Sequence, residues 1–273
     1  THLQVAVNQM DLELEDKVAV ITGPAKGMGA AISLGSAREG TRLALLGRDV
    51  AAIAPVCTQA KELGVQAEVF FCDVTRSQSV DDAVASILAS FGGRIDILIN
   101  VAGGTGPLGK TGLETTQEEF DDILRLNVLG PFNLTHAIAP VMKANGGGKI
   151  VNVGGTFGMR GRAMRLSYSS SKWGLRGMTK SFALELGSDN INVNLVAPGM
   201  VDGPRFRDKV VPQVAEQHGI SFDEAAAKHA SDYALGRIST DEDVAAATLF
   251  LASDRARQIT GVDLPVDGGW AAL

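Results

Sequence analysis

Six short runs rich in Val, Ile, Leu and Phe recur along the chain: KVAVIT from Lys17, RLALLG from Arg42, AEVFFCDV from Ala67, IDILIN from Ile95, KIVNVG from Lys149 and INVNLVAP from Ile191. Each is bounded by Gly, Asp or Asn, and none shows the strict apolar-polar alternation of a strand with one wet face. Continuous apolar runs of this length are what parallel strands look like when helices cover both faces of their sheet. The segments between them carry helical spacing. In SVDDAVASILASF, Val80, Val84, Ile87, Leu88 and Phe91 recur at one face behind a Ser/Asp start. The pattern predicts an α/β fold, a doubly wound parallel sheet with helices on both sides in three layers.

No Pro/Ser-rich linker or low-complexity tract breaks the alternation, so residues 1–273 are expected to form a single domain, with 1–14 as an N-terminal arm. The stretch from about 200 to 238 is too long and too polar for a simple connection and is expected to be a substrate loop or lid. With 45% hydrophobic and 21% charged residues the chain has the make-up of an ordinary globular protein. A formal net charge of -6 gives no basic field for nucleic acid or anionic lipid, so neither partner is expected. No run reaches the roughly 20 apolar residues of a membrane span, and the start lacks the order of a signal peptide, which makes a cytoplasmic protein the expectation. Cys57 and Cys72 read as buried reduced thiols, and His2, His136, His218 and His229 have no metal-ligand spacing, so no metal is expected.

The first chemistry lies in VAVITGPAKGMGAAI. A strand runs into Gly23, Gly27 and Gly29 and then directly into a helix of small residues. That arrangement lets backbone N–H groups and a helix N-terminus approach a pyrophosphate. Three residues separate the first pair of glycines and one separates the second, and with the preceding Thr22 this spacing resembles the short-chain dehydrogenase/reductase family, a Rossmann-like fold. The resemblance extends in order along nearly the whole chain: CDVT at Asp73 and Val74, NVAGG at Asn100, Ala102 and Gly103 with Val101 in place of a second Asn, LNVLG at Asn127, YSSSK at Tyr168 and Lys172, VAPGMV at Pro198, Gly199 and Val201, and the closing TGVDLPVDGG.

The resemblance implies a dinucleotide cradled by Thr22, Gly23, Lys26, Gly27, Met28 and Gly29, with Asp73 and Val74 at its adenine and Lys172 at a ribose hydroxyl. It implies NAD(P)-dependent hydride exchange with a secondary alcohol or ketone, and a homotetramer formed through the helices that carry Asn127 and Tyr168. Residues four apart share a helix face, so Tyr168 and Lys172 can point into one cleft. A nearby ammonium, helped by a nicotinamide ring that is positive when oxidised, stabilises a phenolate, so Lys172 is expected to lower the pKa of Tyr168 and fit it to exchange a proton with the substrate oxygen. Asn127, by resemblance, holds a water that links Lys172 to solvent.

Family members carry a serine thirteen positions before the tyrosine, where it hydrogen-bonds the substrate oxygen; here that position is Gly155. Three readings are open. Thr156 or a water supplies the donor, the substrate brings its own polar group, or the chain is a catalytically impaired dinucleotide-binding member of the family, a sensor, a scaffold or an altered variant. Cofactor choice turns on LLGRD: NAD users of the family place Asp where this chain has Gly47, and Arg48 follows. Arg48 and Lys26 favour NADP over NAD by their charge. Around the expected nicotinamide position lie Lys110, Arg160, Arg162, Arg165, Arg205 and Arg207, a local reversal of sign that suits a polar or anionic substrate. Arg162 and Arg205 are the expected substrate contacts. The family's threonine four residues past the Pro-Gly glycine is Gly203 here, so no side chain is expected at the carboxamide from that position. Tyr233 and Phe206 are candidates for an apolar wall.

Overall fold

The computed structural model describes residues 11–272, so most of the expected arm lies outside the described residues. The strands are β1 (Val18–Thr22), β2 (Arg42–Gly47), β3 (Ala67–Phe71), β4 (Ile97–Asn100), β5 (Gly148–Val153), β6 (Ile191–Pro198) and β7 (Asp263–Val266). They form one parallel sheet in the order β3-β2-β1-β4-β5-β6-β7. The helices on one face are α1 (Gly27–Arg38), α2 (Val50–Glu62) and α9 (Asp241–Ala252); those on the other are α3 (Ser77–Ser90), α5 (Gly130–Ala144) and α6 (Leu166–Leu186).

The two faces explain why the strand runs do not alternate. Ala19, Ile21, Leu43, Leu45, Ile97 and Ile99 pack into one hydrophobic core, whereas Val18, Val20, Ala44, Leu46 and Leu98 pack into the other. Successive side chains point to opposite faces, and both faces are dry. Leu14, at the end of the expected arm, is itself buried in the first core. Where the expected third run continues to Val74, the strand stops at Phe71, and Asp73 and Val74 lie in the loop beyond it. The fourth run enters the sheet at Ile97, and just before it the Asp96 carboxylate accepts the Val18 N–H at 2.8 Å.

The seventh strand has no β-branched run to announce it. It is a four-residue edge strand that tolerates Pro265 because only one of its sides is paired. The stretch after β6 is largely helical rather than a loop. Beyond a wider turn at Phe206–Val210 it forms α7 (Val211–His218) and α8 (Phe222–Ala230), the latter opened by a reciprocal Ser221/Glu224 cap. Phe206, Val211, Ala215 and Ala225 make a small core of their own, separate from those of the sheet. Phe206 therefore packs within the insertion, while Tyr233 is buried with its hydroxyl accepting the Met200 N–H.

In an open parallel sheet, ligands bind at the carboxyl ends of the strands where the strand order reverses. Here the order reverses between β1 and β4.

Candidate active site

A cleft of about 1400 Å³ opens at that point, lined from Gly23–Gly29 at one end to Tyr168, Met200 and the α7–α8 insertion at the other. Its floor depends on the glycine turn. A Cβ on Gly29 would stand 2.0 Å from the Gly23 carbonyl oxygen, so no other residue lets α1 start this close to the end of β1. The N-terminus of α1 then faces the cleft, and the chain at this point fits a dinucleotide pyrophosphate. Thr22 lies behind the surface: its hydroxyl accepts the N–H groups of Val101 and Ala102, both at 3.0 Å, and so ties β1 to the loop after β4. Asn100 is also buried, donating to Asn152 at 2.8 Å. Ala102, Gly103, Gly199 and Val201 line the cleft, as do Asp73 and Val74.

Arg48 lines the cleft beyond β2, and so does Lys26 at the start of α1. Asp49, the carboxylate nearest to the expected ribose position in sequence, is occupied as the cap of α2, accepting the Ala52 N–H at 3.0 Å. Asp73 is held by both Thr75 groups, and these hydrogen bonds pull its carboxyl below the usual range.

Tyr168 sits in the first turn of α6 and Lys172 one turn later. Lys172 is buried, donates to the Val153 carbonyl at 3.1 Å and lies 5.6 Å from the centre of the Tyr168 ring. Burial pushes its ammonium down to about 8. Asn127 lies in a widened helical turn, Arg125–Leu129, between α4 (Gln117–Leu124) and α5. Such extra-residue turns re-aim side chains inward. Asn127 is 1% exposed, accepts the Gly104 N–H, and donates to the Gly104 carbonyl and to Ser171. A Cβ on Gly103 would touch both Asn127 Oδ1 and Lys172 Nζ, at 3.0 and 3.8 Å, so Asn127 and Lys172 converge behind that residue.

The expected depression of Tyr168 by Lys172 is not what this structure shows. Burial raises the Tyr168 phenol, and the cations that oppose the rise are Arg205 and Arg165. Phe157 packs edge-on against the ring at 6.1 Å. The backbone at Gly155 is extended, and a Cβ there would stand 3.1 Å from Tyr168 Oη. Position 155 thus lies beside the Tyr168 hydroxyl. Its neighbour Thr156 is buried and lines the cleft.

The six cations sort into two groups. Lys110 pairs with Glu119, Arg207 makes a two-pronged pair with Asp202 at 2.8 Å, and Arg160 stacks on Trp270 and donates to its carbonyl. Arg162, Arg165 and Arg205 line the cleft. Arg162 and Arg205 are exposed there, whereas Arg165 is buried against Tyr168. Two further lining residues, Asp241 and His229, carry no motif in the sequence. Asp241 opens α9 beside Gly27, and burial raises its carboxyl; His229 packs between Phe206 and Tyr233, and burial lowers its imidazole.

A family model described as enoyl-(acyl carrier protein) reductase matches residues 23–271. The chain belongs to the short-chain dehydrogenase/reductase family. It is 33% identical over 258 residues to 3-oxoacyl-[acyl-carrier-protein] reductase of Thermotoga maritima, covering 94% of this chain and 99% of that one. With galactitol 2-dehydrogenase of Agrobacterium fabrum it shares 35% over 259 residues, 94% of this chain and 98% of the relative. The crystal structure of L-sorbose reductase from Gluconobacter frateurii complexed with NADPH and L-sorbose superimposes with a TM-score of 0.89 at 32% identity, covering 97% of this chain and all 100% of that one. NAD+-bound xylitol dehydrogenase gives a TM-score of 0.87 at 30% identity over 94% of this chain and 100% of that one. This member of the family is a nicotinamide-dependent oxidoreductase that moves hydride between alcohol and ketone. Among the described residues no helix is long and apolar enough to cross a membrane, and no group of side chains could hold a metal ion.

Proposed function

We propose that the chain works as an alcohol dehydrogenase/carbonyl reductase with Tyr168 as its acid and base, Lys172 and Asn127 behind it, and no side-chain donor at position 155. The observation that carries this is the meeting of the three groups at one point: Tyr168 facing the cleft, Lys172 buried one turn behind it, and Asn127 against Gly103. When bound, the nicotinamide accepts or supplies the hydride. Tyr168 Oη takes the proton from an alcohol oxygen during oxidation and returns it to the carbonyl oxygen during reduction. Lys172 orients the ribose and places a positive charge below the phenol, while Asn127 holds the Gly104 turn from which a water can be passed on. Cofactor-binding roles go to the glycine turn, Arg48, Asp73, Val74 and the Ala102–Gly103 and Gly199–Val201 backbone.

NADP is the favoured cofactor, because Arg48 and Lys26 both face the cleft while Asp49 is spent on capping α2. The described residues act as one dinucleotide-binding and catalytic domain, with α7 and α8 as the substrate lid. A homo-oligomer built on α5 and α6 accounts for the exposure of Phe132 on the first and of Trp173 and Leu184 on the second. The test is nicotinamide absorbance across a panel of secondary alcohols, polyols and keto acids with both cofactors. Turnover should fall by at least about 100-fold in Tyr168→Phe, with dinucleotide affinity retained. Full turnover by that variant would overturn the assignment.

A further inference from the structure

The guanidinium of Arg165 is the least satisfied charged group in the cleft. The residue is only 9% exposed, and Nε, Nη1 and Nη2 are all buried without a hydrogen-bond partner. Its central carbon lies 4.7 Å from the centre of the Tyr168 ring, which it flanks. The charged groups that act on it are Arg205, Tyr168 and Arg162, with no carboxylate among them, so burial and two like charges together lower its pKa. Asp202, three residues before Arg205 in the chain, is taken by Arg207. A buried charge without a counter-ion is costly, and structural arginines are normally met by carbonyls or carboxylates. Stacking on an aromatic ring offsets only part of that cost. Five N–H donors in a planar fork therefore lie without acceptors just behind the wall of the cleft, where a small turn of the side chain presents them, beside the Tyr168 ring.

We propose that Arg165 receives the carboxylate of the substrate, and that the physiological substrate is a short hydroxy acid or the corresponding keto acid. This rests on the function proposed above and names its substrate class. The fork matches a carboxylate in two parallel hydrogen bonds, and one negative charge neutralises the one buried positive charge. Because Arg165 lies alongside Tyr168 itself, the carboxylate must sit within a few bonds of the carbon that exchanges hydride, which selects 2- and 3-oxo acids over long-chain ones. The exposed Arg162 and Arg205 surround the entrance with the same sign and draw an anion inward. The anchor also answers the loss at Gly155. A substrate fixed at two points, carboxylate on Arg165 and oxygen on Tyr168, is oriented without the second donor at its carbonyl.

The experiment compares 2-oxobutanoate and acetoacetate with their methyl esters, with galactitol and sorbitol as neutral polyols and dihydroxyacetone phosphate as the phosphate arm. Binding of acetoacetate is measured alongside by calorimetry, with and without NADP. The chain should prefer an acid to its ester by at least about 100-fold in kcat/KM, and Arg165→Met should reduce that ratio to below about 10-fold, with Arg165→Lys between them. Calorimetric binding of acetoacetate should be lost in Arg165→Met. A loss falling equally on acid and ester, or a shifted pH profile with an unchanged acid/ester ratio, would assign Arg165 to holding or tuning Tyr168 and overturn the proposal. Turnover of polyols with no carboxylate binding would overturn it while leaving the dehydrogenase reading intact. Carboxylate binding without turnover of any substrate would uphold the site and overturn that reading. Preference for the phosphate ester would overturn the carboxylate assignment.

Discussion

Restoring a hydroxyl at position 155 tests how charge is stabilised at the reacting oxygen. The extended backbone at Gly155 accepts any L-residue, so Gly155→Ser carries no backbone strain. The new Cβ would meet Tyr168 Oη at 3.1 Å and the Pro198 carbonyl at 3.9 Å, the first contact a few tenths of an ångström tight. Tyr168 must yield slightly, against Phe157 on one side and Arg165 on the other. Gly155→Ala imposes the same displacement and brings no donor, and it should lower kcat by about 10-fold through misplacement of the phenol. Gly155→Ser adds one donor at the developing charge, which typically contributes about 100- to 1,000-fold. The Ser variant should therefore exceed the Ala variant by about 100-fold, or about 2.7 kcal/mol of barrier, and exceed the Gly155 chain itself by about 10-fold. Single-turnover nicotinamide absorbance under saturating substrate measures all three chains without interference from product release. Equal rates for Ser and Ala would refute the reasoning, because the donor would then already be supplied from elsewhere, with Thr156 the nearest side chain.

Arg48→Asp should exchange the NADP preference for NAD by at least about 10-fold in the ratio of kcat/KM values, since a carboxylate at that place repels the ribose phosphate; an unchanged ratio would remove Arg48 from cofactor choice. Lys172 titrates at about 8 when folded against an ordinary 10.5, so between those values the unfolded chain holds the extra proton and stability rises with pH through that window. Below about pH 8 both states are charged and the folded one bears the full burial cost. Denaturant unfolding should show this rise, about 3 kcal/mol in size, in the parent chain and not in Lys172→Met; parallel pH trends in the two would contradict the assigned burial cost. Gly29→Ala, whose Cβ would strike the Gly23 carbonyl, should destabilise the fold by about 1–3 kcal/mol and abolish thermal stabilisation by dinucleotide; normal dinucleotide binding by this variant would mean that α1 can start farther from β1.

Much of this protein could be read before any coordinate. The six apolar runs become β1 to β6, because a strand buried on both faces writes its burial directly into consecutive residues. The glycine turn and the Tyr168–Lys172 spacing are equally local, since one is set by backbone sterics and the other by the helical repeat. Where the reading stops, the information is not local. β7 is recognised only by its pairing to β6, and the insertion after β6 becomes helical around a small core whose members are scattered from Phe206 to Ala225. The six cations near the site are alike in sequence, and only the fold separates Arg207, met by Asp202, from Arg165, whose guanidinium lies against Tyr168 without a hydrogen-bond partner. The electrostatics of Tyr168 differ for the same reason: spacing brings Lys172 near, but burial of the phenol sets the upward direction of its shift, against the opposing pull of Arg205 and Arg165.

The sheet, the glycine turn and the shared helix face of Tyr168 and Lys172 are written in the sequence, because they follow from periodicity and steric rules that act within a few residues. Which charges are paired, which are buried and which line the cleft is settled only by the fold, because desolvation and Coulomb energy depend on neighbours that the chain brings together from far apart.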